Sequence, residues 1–508
     1  MENIDIIRKP AFSDRILARI EKTGNALPHP ATLFIIFSFI VVLFSALGEA
    51  LGWHVVLDSS GRTSEVSSLM SRQGFEYILG TLVRNFVSFA PLGTVLVAML
   101  GVGVAEKGGM ISSFLKMTVL SAPRHLVSAM VVFLGVLSNV ASDAGYVVLV
   151  PLGAIVFMSF GRHPLAGMAA AFAGVSGGFS ANLMLGTLDP LLGGITTEAA
   201  RIIDSSYTVH ATANWYFMIA STFLITIAGA FVTDRIVEPR LGAWKGEIKQ
   251  AESLGQRERK ALFLSMGSLL LMFVLLAVLS IPEGAVMRDP ATGSLGGNSL
   301  LIKGIVPLLA LFFFVPGLVY AFAAGTMKND KDVVKALSET MSSMGGYLVL
   351  AFTASQFIAW FNYSGLGTVI AFKGAELLDT IGFRGFPLIL AFIFTSAVIN
   401  LFIGSASAKW AIMAPIFVPL LMQMGYSPEL TQLAYRIGDS TTNIISPLMA
   451  YFAVIIAFAN EYDEEAGMGT MISTMLPYSI VFMLGWTILL GVWILAGLPI
   501  GPGVSPYM

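Results

Sequence analysis

Long apolar segments constrain the fold of this chain more than any other feature of its sequence. A helix crosses the roughly 30 Å hydrocarbon core of a bilayer with about 20 apolar residues. The chain of 508 residues offers many such windows, because 56% of its residues are hydrophobic and only 12% are charged. The apolar run from Ala31 to Leu51 follows a charged stretch and lacks a small-residue cleavage site, so we expect a first span rather than a removable signal peptide. The sequence therefore predicts an integral membrane protein built from helices.

The charges in the loops predict how the chain is oriented. Lysine and arginine concentrate in the N-terminal segment of residues 1–30 and in the loop of residues 236–260, and both are expected to face the cytoplasm. Residues 281–299 contain a single basic side chain, so this loop is expected on the other side. Between these anchors we place nine spans, near residues 31–52, 76–106, 165–190, 213–234, 261–281, 301–326, 344–380, 428–456 and 470–497.

Two apolar stretches are left over, at about residues 122–160 and 383–424, and small and polar residues interrupt each near its middle. Two half-length apolar arms around a polar tip are typical of a re-entrant helical hairpin, which membranes tolerate only where protein or a water-filled cavity surrounds it. Two of the predicted spans, 76–106 and 344–380, are too long for one straight helix and contain Pro91 or the sequence SGLG. We expect both to be broken or kinked.

One pattern occurs twice in the chain. At an offset of 264 residues Pro151 aligns with Pro415 and Gly174 with Gly438. An odd number of predicted crossings separates equivalent points, so the second copy is expected to be upside down relative to the first. The predicted divisions are an N-terminal segment (1–30), a first half with hairpin one (31–235), a basic loop (236–260) and a second half with hairpin two (261–508). The predicted fold class is an all-α polytopic membrane protein with about nine transmembrane helices, two re-entrant hairpins and an inverted repeat, which is typical of secondary transporters.

Polar sequences interrupt one span in each half. AGVSGGFSANLML begins at Ala173, and YRIGDSTTNIISP begins at Tyr435. We expect both to be unwound middles of spans that face the hairpin tips, because their amides and hydroxyls would have no partners in lipid. Such groups can hold an ion or a substrate.

Arg436 and Asp439 place opposite charges inside a predicted span, on one face if the helix continues there. They could form a structural ion pair at a helix break, but function is the default hypothesis for ionisable groups at membrane depth. We expect Arg436 to bind a substrate carboxylate through its planar fork and Asp439 to carry a proton or a cation. Asp189, a lone acid in an apolar run, could instead cap the segment that begins at Pro190.

Residues near the hairpin tips form the rest of the candidate site. Trp410 could pack in the core or stack on an aromatic substrate, and Lys409 could snorkel to the surface or contact the ligand. The candidate substrate contacts are Asn182, Asp189, Ser407, Lys409, Trp410, Pro428, Arg436, Asp439, Asn443 and Pro447, of which the two prolines are expected mainly to set helix starts and breaks. The candidate sodium ligands are Asn139, Ser142, Asp143, Gly177, Asn400, Ser405, Ser440 and Thr441. Oxygen-rich clusters of this kind suit a hard cation, and they also suit helix capping. Apart from a bound sodium ion, no cofactor is expected.

The sequences GNALPHP, GRHPLAG, EPRLG, APIFVP and GLPIGPG, together with the site residues, resemble the AbgT family of p-aminobenzoyl-glutamate transporters over essentially the whole chain. The resemblance implies a homodimer in the bacterial inner membrane, with functional roles for Asp189, Trp410, Arg436 and Asp439. It implies transport of p-aminobenzoyl-glutamate, a small aromatic amino-acid conjugate, or efflux of sulfonamide antimetabolites. The direction of transport stays open.

Other functions have less support in the sequence. A phosphate-binding loop of the form GxxxxGK[ST] is absent, the five histidines lack metal-ligand spacing, and no nucleophile and base are paired. We therefore expect neither an ATP-driven pump nor an enzyme, and the net charge of −2 gives no indication of nucleic-acid binding. An ion channel lined by the paired hairpins and a dicarboxylate symporter remain as alternatives.

Overall fold

The computed structural model describes residues 28–56, 63–121, 123–141, 145–246, 254–295, 299–449, 451–464 and 466–508. These parts of the chain are almost entirely helical, which confirms the predicted fold class. One small antiparallel sheet, in which His54–Val56 pairs with Thr63–Glu65, was not predicted. Within the described ranges seven helices are long and apolar enough to cross a membrane, or nine if two bent pairs each count as one span.

The α-helices run, in chain order, Pro30–Ala50, Arg72–Val87, Ala90–Lys107, Met110–Leu120, Val127–Ser138, Val150–Ser159, Pro164–Phe172, Leu188–Ala200, Trp215–Val232, Glu238–Leu241, Gln256–Ser280, Leu300–Lys303, Ile305–Ala324, Asp330–Ser343, Gly345–Tyr363, Leu366–Thr380, Phe386–Asn400, Ala406–Gln423, Pro428–Asn443, Phe452–Asn460 and Met468–Leu495. Short 3₁₀ segments lie at Arg124–Leu126 and Asn139–Ala141, and π-helical turns at Gly145–Leu149, Ala173–Gly177 and Thr233–Val237. The sequence analysis had assigned no helix to the regions of Met110–Leu120 and Asp330–Ser343, which lie between its predicted spans and hairpins.

Both overlong spans are broken, as predicted. In the first, a new helix starts at Ala90 with Pro91 in its first turn, where a proline fits because no helical partner is lost. In the second, Gly365 separates two helices with a φ of +71°. A Cβ at Gly365 would also lie 2.7 Å from the Glu65 carbonyl oxygen. The break therefore needs glycine for its backbone conformation and for the close approach.

The two leftover apolar stretches form two helical hairpins. The first hairpin has the arms Val127–Ser138 and Val150–Ser159, and the second has the arms Phe386–Asn400 and Ala406–Gln423. In the second hairpin Ser405 caps the returning arm by accepting a hydrogen bond from the Ala408 N–H group (3.3 Å). The capping role weighed for Ser405 is therefore confirmed.

Each half also contains a broken helix, and the two breaks differ. The first broken helix runs from Pro164 through the π-turn to Gly177 and resumes as Leu188–Ala200. The second consists of Pro428–Asn443 and Phe452–Asn460. The prediction that the whole stretch beginning at Tyr435 is unwound is therefore wrong, because only its last four residues lie in the break.

Local hydrogen bonds explain why this polar segment stays helical. Ser427 caps the helix by accepting from the Leu430 N–H group (3.2 Å). Farther along, the hydroxyl of Thr442 donates to the Gly438 carbonyl oxygen of its own helix (2.8 Å), a bond that satisfies a polar group without unwinding the backbone. The hydrophobic pattern indicated a polar segment, but it did not distinguish a polar helix surrounded by protein from an unwound one.

Matching glycines let each hairpin lie directly against its broken helix. A Cβ added to Gly174 would lie 2.3 Å from the carbonyl oxygen of Val132, and a Cβ added to Gly438 would lie 2.4 Å from that of Ile393. Gly174 and Gly438 are the pair aligned by the sequence repeat, and Val132 and Ile393 each lie on the first arm of a hairpin. The same close contact therefore occurs in both halves.

We expect Gly438→Ala to lower the thermal stability of the purified protein. The new methyl group would meet a backbone oxygen that cannot rotate away, at a cost of about 1–3 kcal/mol. The matched control is Gly267→Ala in the helix Gln256–Ser280, where no atom lies within 4 Å of the added Cβ, so this change should be neutral or stabilise the helix by up to ~1 kcal/mol. Equal melting temperatures for the two variants would contradict the packing account.

Candidate substrate and ion site

Two buried ion pairs join the second broken helix to its neighbours. Arg436 donates from Nη2 to Asp189 Oδ1 at 2.6 Å, and the ammonium of Lys409 pairs with Asp439 Oδ1. The four side chains are at most 3% exposed. Arg436 and Asp439 thus share a helix, but each is paired with a different element, so the ion pair between them that was weighed from the sequence is not the one that forms.

Asp189 lies in the first turn of the helix Leu188–Ala200 rather than at its cap, and its role in function stays a prediction. Its Oδ2 atom accepts a hydrogen bond from the Gly186 N–H group (2.7 Å). This bond holds the backbone segment just before the helix Leu188–Ala200 against the first turn of that helix. A carboxylate is favoured in the first turn of a helix by the helix dipole. Its other oxygen holds Arg436, so one carboxylate connects the first broken helix to the second.

Asn400 is the centre of the polar cluster at the second hairpin tip. Its Nδ2 group contacts the backbone oxygen of Asp439 (2.6 Å) and the side-chain oxygens of Thr442 and Asn443 (2.9 Å each). Its Oδ1 atom accepts a hydrogen bond from Lys409. The structure therefore brings together four of the predicted site residues, and Lys409, which is 0% exposed, does not snorkel.

Trp410 connects three elements. Its ring stacks on Tyr435 with a centroid distance of 4.5 Å, and its Nε1 atom donates to the Thr196 hydroxyl at 2.9 Å. Trp410 is completely buried, so the face toward Tyr435 is taken by packing. Its role as a stacking surface for an aromatic substrate stays a prediction. Sequence reasoning did not identify Thr196, because a single threonine in a helix carries no recognisable signal.

The first hairpin tip is described in part. Asn139 donates from Nδ2 toward the carbonyl oxygens of Gly135 and Gly178, at 3.5 and 3.4 Å. Its buried Oδ1 atom has no hydrogen-bond partner among the described residues. The candidate sodium ligands Ser142 and Asp143 lie outside the described residues.

The remaining candidates on the second broken helix take defined structural positions. Pro428 starts the helix, and Pro447 lies in the break that follows it, as was expected of the prolines. The Thr441 hydroxyl donates to the Ile437 carbonyl oxygen (2.7 Å). By contrast, the buried Ser440 hydroxyl has no hydrogen-bond partner within the described parts of the chain, so Ser440 keeps its oxygen available for a ligand.

Two further candidates lie at and after the π-turn of the first broken helix. Gly177 ends the π-turn, and a Cβ there would lie 2.9 Å from the ring of Phe482. Asn182 is buried in the non-helical segment, where its Oδ1 atom accepts from the Met184 N–H group at 3.5 Å. The roles of Gly177 and Asn182 in binding stay predictions.

A cavity of about 570 Å³ lies between the hairpin tips and the two helix breaks. The hairpin tips contribute Asn139 and Ser407 to its wall, and the two breaks contribute Thr187 and Tyr451. Ligand pockets have volumes of about 300–1,000 Å³, so the space fits a small organic molecule. The cavity lies where the sequence analysis expected the tips and interruptions to meet.

The opposite wall of this cavity was not predicted. It includes Lys107, Thr340 and Tyr347, and the buried Tyr347 hydroxyl has no hydrogen-bond partner among the described residues. Thr340 lies on the helix Asp330–Ser343, whose charged sequence resembled an ordinary cytoplasmic loop. The predicted span 301–326 starts at the loop expected outside the cell, so its end at Thr326 is expected on the cytoplasmic side. The Thr326 hydroxyl donates to the carbonyl oxygen of Gly108, the residue after Lys107 (2.8 Å), which places the Lys107 end of the cavity near that side.

A second cavity, of about 200 Å³, lies at the far end of the same helices. Its wall includes the basic residues Arg201, His210 and Lys303. The helices Ala90–Lys107 and Leu188–Ala200 touch beside this smaller cavity, since a Cβ at Gly194, which lines it, would lie 2.9 Å from the backbone nitrogen of Pro91. The structure therefore has a larger cavity toward one end of these helices and a smaller basic one toward the other.

A double-mutant cycle on thermal unfolding tests the pairing of the charges. Asp189→Asn or Arg436→Gln alone should destabilise the protein strongly, by roughly 3–5 kcal/mol, because each leaves a buried charge without its partner. The double variant should lose less than the sum. The control cycle uses Lys373 and Glu376, which form an exposed pair at 2.8 Å and should show a coupling of at most ~1 kcal/mol. If the double variant loses as much free energy of unfolding as the two single variants together, the pairing of Asp189 with Arg436 is refuted.

Comparisons with known proteins identify the family. The family described as "AbgT putative transporter family" matches residues 15–508. The p-aminobenzoyl-glutamate transport protein of Escherichia coli strain K12 is 37% identical over 97% of both chains. Among solved structures, the YdaH transporter of Alcanivorax borkumensis is 47% identical with a TM-score of 0.90 and covers 94% of this chain and 100% of its own. MtrF of Neisseria gonorrhoeae, described as illuminating a class of antimetabolite efflux pumps, is 48% identical with a TM-score of 0.91 over 96% and 100%. The chain belongs to the AbgT family of membrane transporters.

Proposed function

We propose that the protein is a secondary active transporter for p-aminobenzoyl-glutamate and related aminobenzoyl compounds. The observation that carries the proposal is the 570 Å³ cavity lined by both hairpin tips and both helix breaks. Two buried ion pairs join elements that line this cavity. The name of the Escherichia coli relative supports this substrate. A homodimer in the bacterial inner membrane, with a cytoplasmic N-terminus, belongs to the same proposal.

The polar groups around the cavity suit an aromatic dicarboxylate. Lys107 and Ser407 offer donors to carboxylates, and Tyr347 offers both a ring and a free hydroxyl. Arg436 pairs with Asp189, whose neighbour Leu188 lines the cavity, and the Nε group of Arg436 has no hydrogen-bond partner among the described residues. It can therefore take a carboxylate when its contact with Asp189 loosens, and bidentate binding would then use a donor that is already unpaired.

The coupling ion acts at Asp439 in this proposal. Asp439 is 1% exposed, and an intramembrane carboxylate of this kind is typical of proton and cation pathways. The sodium alternative also uses oxygens of the hairpin tips and of the second broken helix, and the unpaired oxygens of Asn139 at the first tip and Ser440 on that helix are consistent with ligand roles. The proton alternative uses Asp439 itself.

Antimetabolite efflux is the second candidate. The 48% identity with MtrF favours it, and sulfonamides share the aminobenzoyl-like ring that the cavity would bind. The two candidates differ in the direction of transport and in the need for a second carboxylate, so the same reconstituted protein can distinguish them.

We expect purified wild-type protein in liposomes to accumulate labelled p-aminobenzoyl-glutamate under an imposed sodium gradient or an imposed pH gradient, tested separately. Asp439→Asn should abolish gradient-driven uptake, because the group that carries the ion is lost. The matched control is Asp379→Asn, at a half-exposed carboxylate paired with Arg384, which should transport normally.

If neither gradient drives uptake while a labelled sulfonamide is expelled, the efflux function is correct and the proposed substrate is wrong. If the protein instead carries single-channel currents, the channel alternative is correct. Uptake retained in Asp439→Asn would remove that residue from the coupling mechanism.

A further inference from the structure

The second hairpin tip contains a cation that the chain itself provides. Lys409 is completely buried, and its ammonium contacts the Asp439 carboxylate, the Asn400 carboxamide oxygen and, at 3.4 Å, the Ile403 carbonyl oxygen. A carboxylate, an amide oxygen and a backbone carbonyl are the oxygen types that coordinate hard metal cations. The ammonium therefore occupies the place where a soluble cation would be coordinated.

The groups around this ammonium are arranged for one positive charge. Nδ2 of Asn400 is engaged with the second broken helix, which turns Oδ1 of Asn400 toward Lys409. The ring of Tyr435 lies 5.8 Å from the ammonium, on its negatively polarised face. Without Lys409, the Asp439 side chain would keep, among the described residues, only the long contact from the Tyr435 hydroxyl (3.5 Å). A buried carboxylate in that state is strongly unfavourable unless another cation replaces the lost one.

The first hairpin tip lacks this arrangement in the residues that the structure describes. At the repeat offset of 264, the position of Lys409 corresponds to Gly145. The carboxamide oxygen of Asn139, unlike that of Asn400, has no hydrogen-bond partner among the described residues. The buried ammonium is therefore found at the second hairpin tip, and the repeat supplies no lysine at the equivalent position of the first tip.

We propose that the ammonium of Lys409 is the resident cation of the second hairpin tip and determines its ion specificity, so that a soluble monovalent cation such as sodium binds Asp439 only when the lysine is withdrawn. The inference rests on the proposed role of Asp439 in coupling. Two positive charges in this small buried cage would repel each other, so the lysine and a soluble cation compete for the same oxygens. Lys409 is in this account a specificity-determining residue, and its movement accompanies any binding of sodium at Asp439.

Thermal unfolding of the full-length protein in detergent tests this competition without substrate or gradient. The melting temperature is measured in sodium chloride and in choline chloride at equal ionic strength. We expect the wild type to melt at the same temperature in both salts. Lys409→Met should melt at a lower temperature in choline and should regain on the order of 2–4 °C in sodium, because sodium then binds the vacated oxygens of the folded state.

Two further variants distinguish a bound cation from a general salt effect. Lys409→Met/Asp439→Asn removes both charges and should melt at the same temperature in the two salts. Lys373→Met removes an exposed lysine (61% exposed) and should behave like the wild type. A sodium response in these variants would assign the effect to salt in general and overturn the inference.

Three other results would also overturn it. The melting temperature of Lys409→Met could be the same in sodium and in choline. Alternatively, sodium could raise the melting temperature of the wild type as much as that of the variant. Lys409→Met could also fail to fold in either salt while the double variant folds, which would make the ammonium a structural counter-ion that sodium does not replace. Because these measurements need no transport, they can fail or succeed independently of the uptake assay that tests the proposed function.

Discussion

Charge buried at membrane depth is the constraint on which the site depends. An unpaired charge in this environment is costly, and the charged side chains in the middle of the second broken helix, Arg436 and Asp439, each meet an opposite charge on another element. Arg436 meets Asp189 across the two halves of the chain, and Asp439 meets Lys409 on the second hairpin. The two pairs therefore fix the relative positions of three elements that sequence separates widely. The same pairs are the groups that a carboxylate substrate and a coupling ion would engage.

Close backbone packing supports these pairs. Glycines at equivalent positions bring each hairpin against its broken helix, and Trp410 connects the second hairpin to Tyr435 and to Thr196 on the first broken helix. A transporter of this kind needs a site that is preorganised and yet opens alternately to the two sides. The contact between Gly194 and Pro91 lies beside the smaller cavity, on two helices that also line the larger one.

The sequence predicted the features that depend on local chemistry. Proline and glycine marked the breaks at Pro91 and Gly365, and apolar arms around polar tips marked both hairpins. It failed where the outcome depends on contacts between distant segments. Whether the polar stretch from Tyr435 is helical is decided by the protein around it, and the partner of Arg436 lies 247 residues away in the chain. The cavity wall at Tyr347 was missed because its chemistry emerges only when the helices are packed together.

The central claim is that substrate binds in the cavity between the hairpin tips and the breaks. The chain contains no cysteine, so a single Ser407→Cys change places a unique thiol in the cavity wall, and Ser206→Cys in an exposed loop provides the control. The most direct measurement is the rate of maleimide labelling of both variants with and without p-aminobenzoyl-glutamate. The account predicts that the substrate slows labelling at position 407 and leaves position 206 unchanged. Equal labelling rates at position 407 with and without saturating substrate would contradict it.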